Sequence, residues 1–447
     1  MNIDPSIFKA YDIRGTYPEQ LNADVAYQIG YQLSSLLGPK NVAIGRDMRA
    51  SSPELFEHLS RGINDAGVDV IDLGLVSTDG LYFAVGRFGY EAGIMITASH
   101  NPKDYNGFKV CGKGAVPVSG DEGLAEIRRA IQDDRPTPVA SSRGAMIRKD
   151  ISGDYAAHCL SFIDLASVGP YHIVIDAGNG MAGATLPPVL EKLPVKVERL
   201  FFELDGTFPN HPASPIELEN LRDLQLKIEQ AGADFGVAFD GDADRMFLVD
   251  KHGKQLGGDM VTALVAKSLL KKNPGETILY NLICSRAVPE LVERLGGRAI
   301  RTRVGHALIK PLMKKHNAIF GGEHSGHFYF RENWFADSGL IAFLVCLELI
   351  SIGNRMLHDM VAEIDPYVRS GEINSRVDDI KAKIEAVARK YADGEQDRED
   401  GLTVQYDDWW FNLRPSNTEP LLRLNIEANA PDLLEKMKKE LLDTIRS

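Results

Sequence analysis

Cysteine is scarce in this 447-residue chain: Cys111, Cys159, Cys284 and Cys346 lie far apart and form no Cys-x-x-Cys pair. That argues against a disulfide framework or a cysteine zinc site, and it fits a reducing cytoplasm. No apolar run is long enough to span a bilayer; the longest, Leu340 to Ile352, is broken by Glu348. The opening Met1-Asn2-Ile3-Asp4-Pro5 lacks the basic-then-apolar pattern of a secretory signal. Positive charge is in deficit, with 50 Lys and Arg against 63 Asp and Glu and a net charge of -13. Such a chain is poorly suited to sequence-independent nucleic-acid binding. It can still bind small anions if its positive charge is gathered in one cleft. The expectation is a soluble, cytoplasmic protein with no membrane and no nucleic-acid partner.

What is present is a chain of 44% hydrophobic content, long enough for several cores. Strand and helix signals alternate from the start. Val42 to Gly45, Val68 to Leu73 and Ala92 to Thr97 read as strands, and Ser52 is expected to cap a helix opening at Pro53. A second α/β unit runs from His172-Ile173-Val174-Ile175-Asp176 to Phe235-Gly236-Val237-Ala238-Phe239. A third holds helices from Met260 and Val288, strands from Thr277 and Ala299, and the apolar helix near Leu340. The last segment has strand-like runs flanking Trp409 and Trp410, then a helix from Pro431, and reads as a small α+β module. The expected units are 1–145, 146–253, 254–366 and 367–447.

Thr97-Ala98-Ser99-His100-Asn101-Pro102 follows an apolar strand, at the sheet end where ligands gather. A serine exposed there can carry a covalent group, or it can simply cap a turn. Asp240-Gly241-Asp242-Ala243-Asp244-Arg245 crowds three carboxylates after another strand, and crowding of that kind calls for a cation. Oxygen donors favour Mg²⁺ or another hard ion. An EF-hand is ruled out, because Arg245 stands where the loop needs glycine and Lys251 where it needs glutamate.

Gly178-Asn179-Gly180-Met181-Ala182-Gly183 matches a dinucleotide-binding fingerprint, with Glu203 about twenty residues on. Tight helix–strand packing is the alternative. In Gly321-Gly322-Glu323-His324-Ser325-Gly326-His327, Glu323 and Ser325 share one side if the segment is extended, and suit neighbouring sugar hydroxyls. His324 and His327 read as satisfied loop histidines. Arg414-Pro415-Ser416-Asn417-Thr418-Glu419-Pro420 offers the donors of a phosphate cradle.

Together with Phe8-Lys9-Ala10-Tyr11-Asp12-Ile13-Arg14-Gly15, and in this order, these motifs resemble the α-D-phosphohexomutase family, in its phosphomannomutase/phosphoglucomutase branch. The resemblance implies an α/β fold: three similar α/β domains with mixed sheets, plus a smaller C-terminal α+β domain, around a central cleft. It implies a monomer or homodimer acting on hexose phosphates, with a hexose 1,6-bisphosphate as intermediate and activator. Ser99 would carry the phosphoryl group. Asp240, Asp242 and Asp244 would hold Mg²⁺ with a phosphoserine oxygen. Arg245 and Lys109 would offset charge, and Lys109 and His306 would move protons. Tyr11, Arg14, Glu323 and Ser325 would contact the substrate, and Arg414, Ser416, Asn417 and Thr418 its unreactive phosphate.

The electrostatics agree with this set. Three aspartates, Mg²⁺ and a phosphoserine leave roughly -3 on the site, so nearby cations are required. Four alternatives stay open: a phosphoglucosamine mutase (such relatives carry Gln at the His324 position), a metal-dependent phosphohydrolase, a dinucleotide-dependent oxidoreductase, and a non-catalytic sugar-phosphate sensor. Asp79 stands where many relatives have proline.

Overall fold

Ala92–Ile96, apolar at all five positions, is buried on both faces in the first of four sheets. A central strand with cover on two sides demands such a run. The computed structural model describes residues 3–9, 11–118, 120–416 and 421–447. The first sheet runs Ile13–Thr16, Tyr105–Gly112, Ala92–Ile96, Asn41–Arg46, Asp69–Leu75, Met146–Arg148, with Val116–Pro117 added on Tyr105–Gly112. Tyr105–Gly112 is antiparallel to both its long neighbours, and the remaining long pairings are parallel. Met146–Arg148 belongs to this sheet although it lies just past residue 145, where the first unit was expected to end.

The second sheet places Phe235–Phe239 between His172–Asp176, parallel, and Met246–Asp250, antiparallel. Asp240 to Arg245 are therefore the turn of a tight antiparallel connection. The third sheet is also mixed, with Phe320–Gly322 parallel to Thr277–Asn281 and antiparallel to Phe328–Phe330. The fourth is antiparallel throughout, and Trp409 and Trp410 lie within its strand Trp409–Pro415.

Ser52 does not cap its helix. Ser51 holds that position without a side-chain bond, and Ser52 Oγ instead donates to Asp47 Oδ1 at 2.7 Å. The fingerprint glycines are packing residues. The helix after them is only Ala182–Thr185. A Cβ at Gly183 would meet the Phe202 carbonyl at 2.1 Å, and one at Gly180 the Gly241 carbonyl at 2.7 Å. This leaves no full helix N-terminus for a pyrophosphate.

Glu348, which interrupts the apolar run, is fully buried in helix Gly339–Gly353. Its carboxylate accepts from the Asp164 amide at 2.7 Å and from Lys272 Nζ at 2.5 Å, which satisfies it. No helix among the described residues is long and apolar enough to cross a membrane.

One large hydrophobic cluster joins the first three units, from Ala43 through Ile175 to Phe343. At their junction Trp334 of the third unit lies against Gly86 of the first, where a Cβ would come within 2.2 Å of the indole. The fourth unit has a separate cluster that includes Val387, Phe411, Leu424 and Ile445.

Candidate active site

Ser99 sits in a loop that the strand Ala92–Ile96 delivers and an arginine shapes. Its φ is +50°, in the left-handed region that non-glycine residues avoid at a cost of about 1–3 kcal/mol. The loop is held there from below. Arg49, fully buried as a side chain, donates from Nη2 to the carbonyls of Ser99 at 2.8 Å and Asn101 at 2.7 Å. Its Nη1 donates to the carbonyls of Pro102 at 2.7 Å and Tyr105 at 2.9 Å, and its Nε faces Asp47 at 3.2 Å. The fixed fork of a guanidinium can satisfy such a spread of acceptors. Nothing in the sequence singled out Arg49, which follows Gly45-Arg46-Asp47-Met48 as an ordinary basic residue.

The aspartate turn closes on this loop. A Cβ at Gly241 would lie 2.5 Å from the Ser99 carbonyl, so only glycine permits the approach. Ser99 Oγ donates to Asp240 Oδ2 at 2.8 Å, and Asp240 also accepts from Arg245 Nε at 2.8 Å. Arg245 Nη2 reaches Ser99 Oγ at 3.4 Å. Lys109, from the neighbouring strand Tyr105–Gly112, bridges Asp242 Oδ2 at 2.7 Å and Asp244 Oδ2 at 2.6 Å. Thr78 Oγ1 donates to Asp242 Oδ2 at 2.5 Å.

Burial pushes the Asp240 carboxyl up to about 7; Arg245 opposes the rise, and repulsion from Asp242 and Asp244 adds to it. Burial also works against Asp242, but Lys109 and Thr78 hold it below the usual carboxylate range. Burial alone would lower Lys109; the two carboxylates keep it well above the ordinary lysine value. Repulsion from Arg245 holds the His100 imidazole, 3.2 Å from Ser99 Oγ, well below the usual histidine range.

These donors fit a cation. One carboxylate oxygen from each of Asp240, Asp242 and Asp244 lies within 4.8 Å of the others. Oδ1 of Asp242 and Oδ1 of Asp244 are buried without a hydrogen-bond partner. Orphaned buried carboxylate oxygens are costly unless something positive completes them.

The third unit adds its loop beside Asp244. Residues 323–326 form a turn, not the extended segment expected, with the Gly326 amide donating to the Glu323 carbonyl at 3.1 Å. Glu323 is buried and accepts from Tyr329 Oη at 2.7 Å and from the Gly305 amide at 3.0 Å. Ser325 Oγ lies 3.0 Å from His327 Nδ1, whose Nε2 is 3.7 Å from Asp244 Oδ1. His327 thus belongs to the site, where a loop histidine was expected. His324 stands apart, with Nδ1 3.8 Å from Asp259.

Tyr11 approaches Gly305, whose amide donates to Glu323. A Cβ at Gly305 would lie 3.1 Å from the Tyr11 hydroxyl. His306 opens helix His306–His316, and its side chain lies outside what the structure describes. Arg14 is tied to Asp12 at 2.5 Å and to Asn101 Oδ1 at 2.6 Å, beside the serine loop.

Arg414 lies within a strand and is held by Glu372 at 2.9 Å. Arg423, directly opposite in register, shares that carboxylate at 3.3 Å. The Ser416 amide donates to the Leu421 carbonyl at 2.8 Å; Asn417 and Thr418 lie outside the described residues. Contacts lead from here back to the serine. A Cβ at Gly401 would lie 2.7 Å from Arg414 Cα, and its neighbour Asp400 accepts from the Val304 amide at 3.5 Å. Gly305 follows, bonded to Glu323.

Comparison with known proteins agrees at every unit. Models of phosphoglucomutase/phosphomannomutase alpha/beta/alpha domains I, II and III match residues 5–137, 154–253 and 257–367, and the C-terminal domain model matches 372–444. A Xanthomonas campestris pv. campestris protein described as phosphohexose mutases is 42% identical over 98% of this chain and 99% of its own length. A Salmonella typhimurium phosphomannomutase is 40% identical over 97% of this chain and 98% of its own. A crystal structure of a Burkholderia thailandensis phosphoglucomutase/phosphomannomutase family protein matches with a TM-score of 0.91 and 34% identity, covering 100% of this chain and 98% of that one. Matched in four domains and along nearly its whole length, this chain belongs to the phosphoglucomutase/phosphomannomutase family and is a phosphohexomutase.

Proposed function

We propose that this enzyme interconverts mannose 6-phosphate and mannose 1-phosphate, and the corresponding glucose phosphates, with the phosphoryl group carried on Ser99. The observation that carries the reading is the bond from Ser99 Oγ to Asp240, 2.8 Å long, inside a nest of three aspartates rimmed by Lys109 and Arg245. Phosphorylated Ser99 gives its phosphoryl group to the free hydroxyl of a bound hexose phosphate. The Oγ–P bond breaks, a sugar O–P bond forms, and the hydroxyl proton leaves. The hexose 1,6-bisphosphate so formed turns and returns its other phosphoryl group to Ser99.

Asp240, Asp242, Asp244 and a phosphoserine oxygen would hold Mg²⁺, a hard ion suited to oxygen donors. Bound there, the ion supplies positive charge to the phosphoryl oxygens. Arg245 does the same from the protein side. Lys109 is committed to Asp242 and Asp244, so its part is charge and not proton transfer. His327, between Ser325 and Asp244, is our candidate to carry the hydroxyl proton, the role that the family resemblance implies for Lys109 and His306. Glu323 and Ser325 meet sugar hydroxyls, and Tyr11 and Arg14 flank the substrate. Arg414, Ser416, Asn417 and Thr418 hold the far phosphate. The four cysteines, all buried and unbridged, support a cytoplasmic setting.

Intact-mass measurement tests the cycle. The purified enzyme is expected to carry a covalent phosphoryl group on Ser99 that hexose phosphate removes as 1,6-bisphosphate. Stoichiometric release of inorganic phosphate with no bisphosphate would make the protein a hydrolase instead.

Glu372 competes with the far phosphate for Arg414. Glu372→Gln is therefore expected to tighten competitive inhibition by orthophosphate ~3–10-fold, the scale of one ordinary hydrogen bond. Inhibition constants measured for the wild type and the variant check this.

A further inference from the structure

Asp79 is a sequence feature that the reaction cycle leaves unused. It lies in the first turn of helix Thr78–Phe88 and is 1% exposed. A carboxylate so deeply buried is unfavourable unless its oxygens are well occupied. They are. Oδ1 accepts from Ser77 Oγ and from the Gly80 amide at 2.9 Å. Oδ2 accepts from Ser338 Oγ at 2.7 Å.

Residues next to Ser77 and Ser338 meet the aspartate turn. Thr78, between Ser77 and Asp79, donates its hydroxyl to Asp242 Oδ2 at 2.5 Å and its amide to the Asp242 carbonyl at 3.1 Å. Ser338 caps helix Gly339–Gly353, its Oγ accepting from the Ile341 amide at 3.1 Å. Gly339, the next residue, lies on the aspartate turn itself, where a Cβ would meet the Ala243 carbonyl at 3.1 Å and the Arg245 carbonyl carbon at 3.0 Å. The Asp79 carboxylate therefore ties the helix start that grips Asp242 to the helix start that backs Ala243 and Arg245. The first unit grips the turn, the third backs it, and the turn belongs to the second.

We propose that Asp79 is a positioning residue for the metal site: it fixes Thr78 and Ser338 so that Asp242 and Asp244 present their oxygens to the cation. The inference rests on the reading of the aspartates as the Mg²⁺ site. Asp79 touches neither substrate nor metal and acts through Thr78 and Gly339. Groups that orient metal ligands in this way typically change metal affinity 10–100-fold when removed.

The test is a calorimetric Mg²⁺ titration of the full-length enzyme without substrate, together with kcat and KM at saturating Mg²⁺. Asp79→Ala is expected to weaken Mg²⁺ binding ~10-fold or more. Its kcat at saturating Mg²⁺ should fall far less, and its KM for hexose phosphate should hold. Asp79→Asn keeps the shape and an acceptor for Ser77 and Gly80, and it should restore Mg²⁺ affinity to within ~3-fold of wild type. Ser338→Ala should weaken binding in the same sense, and combining it with Asp79→Ala should add little, because both cut one linkage. Mg²⁺ affinity unchanged in Asp79→Ala, with only a lower melting temperature, would overturn the inference. A wild type that binds no Mg²⁺ would instead overturn the metal assignment beneath it.

Discussion

Ser99→Ala is expected to lower turnover of mannose 1-phosphate ~10⁴-fold or more, at unchanged melting temperature. That factor corresponds to about 5 kcal/mol of transition-state stabilisation. The loss is expected to be large because, in the proposed cycle, this hydroxyl accepts and returns the phosphoryl group. The fold should hold because alanine removes one oxygen and keeps the Cβ. Ser99 Oγ makes its short bond to Asp240, whose other oxygen still accepts from the Arg245 amide at 3.1 Å. Substrate binding should survive, because Glu323 and Arg414 are untouched. Isotope exchange between the two hexose phosphates at near-normal rate would remove the phosphoserine from the cycle altogether.

Arg49→Met is expected to cost about 3–5 kcal/mol of folding stability and ~10²-fold in kcat. Methionine fills much of the same volume but donates nothing. The carbonyls of Ser99, Asn101, Pro102 and Tyr105 and the buried Asp47 would lose the guanidinium together. Asp47 is already raised by burial, with Arg49 the main force opposing that rise. Losing the arginine also frees Ser99 from its left-handed backbone and lets Oγ leave Asp240. Arg49→Lys should recover only part of either loss, because one ammonium cannot span acceptors arranged for a planar fork. Chemical denaturation and steady-state kinetics on the three proteins separate the two effects. A kcat close to wild type in Arg49→Met would show that the loop needs no such support.

Much of the fold was legible because its signals are local. Apolar strands such as Ala92–Ile96 and Phe235–Phe239 are contiguous, and the chemistry follows each within a few residues. Ser99, the aspartate triplet and Glu323 could be read for that reason. What was hidden depends on partners far along the chain. Arg49 looks like any surface arginine until the loop 50 residues later folds over it. Asp79 meets Ser338 across 259 residues, and Thr78 meets Asp242 across 164. His327 reads as a loop histidine until Asp244 arrives beside it. Ser52 reads as a helix cap because it stands just before Pro53, and only the nearness of Asp47 draws its hydroxyl elsewhere. The glycines at Gly178 to Gly183 carry a motif that both packing and phosphate binding produce. Only the close backbone approaches at Gly180 and Gly183 and the short helix that follows tell the two apart.

The separate apolar cluster of the fourth unit has a consequence for motion. Arg286 reaches the Tyr406 and Asp407 carbonyls, and Arg369 spans Asp259 and Glu427, so this joint is largely polar. A joint of that kind can pivot without exposing oil to water, whereas the other three units can separate only by tearing a common interior. Salt screens such largely buried contacts only in part. Rising ionic strength should therefore loosen the hinge, and the grip on the distant phosphate with it, while the serine pocket keeps its shape.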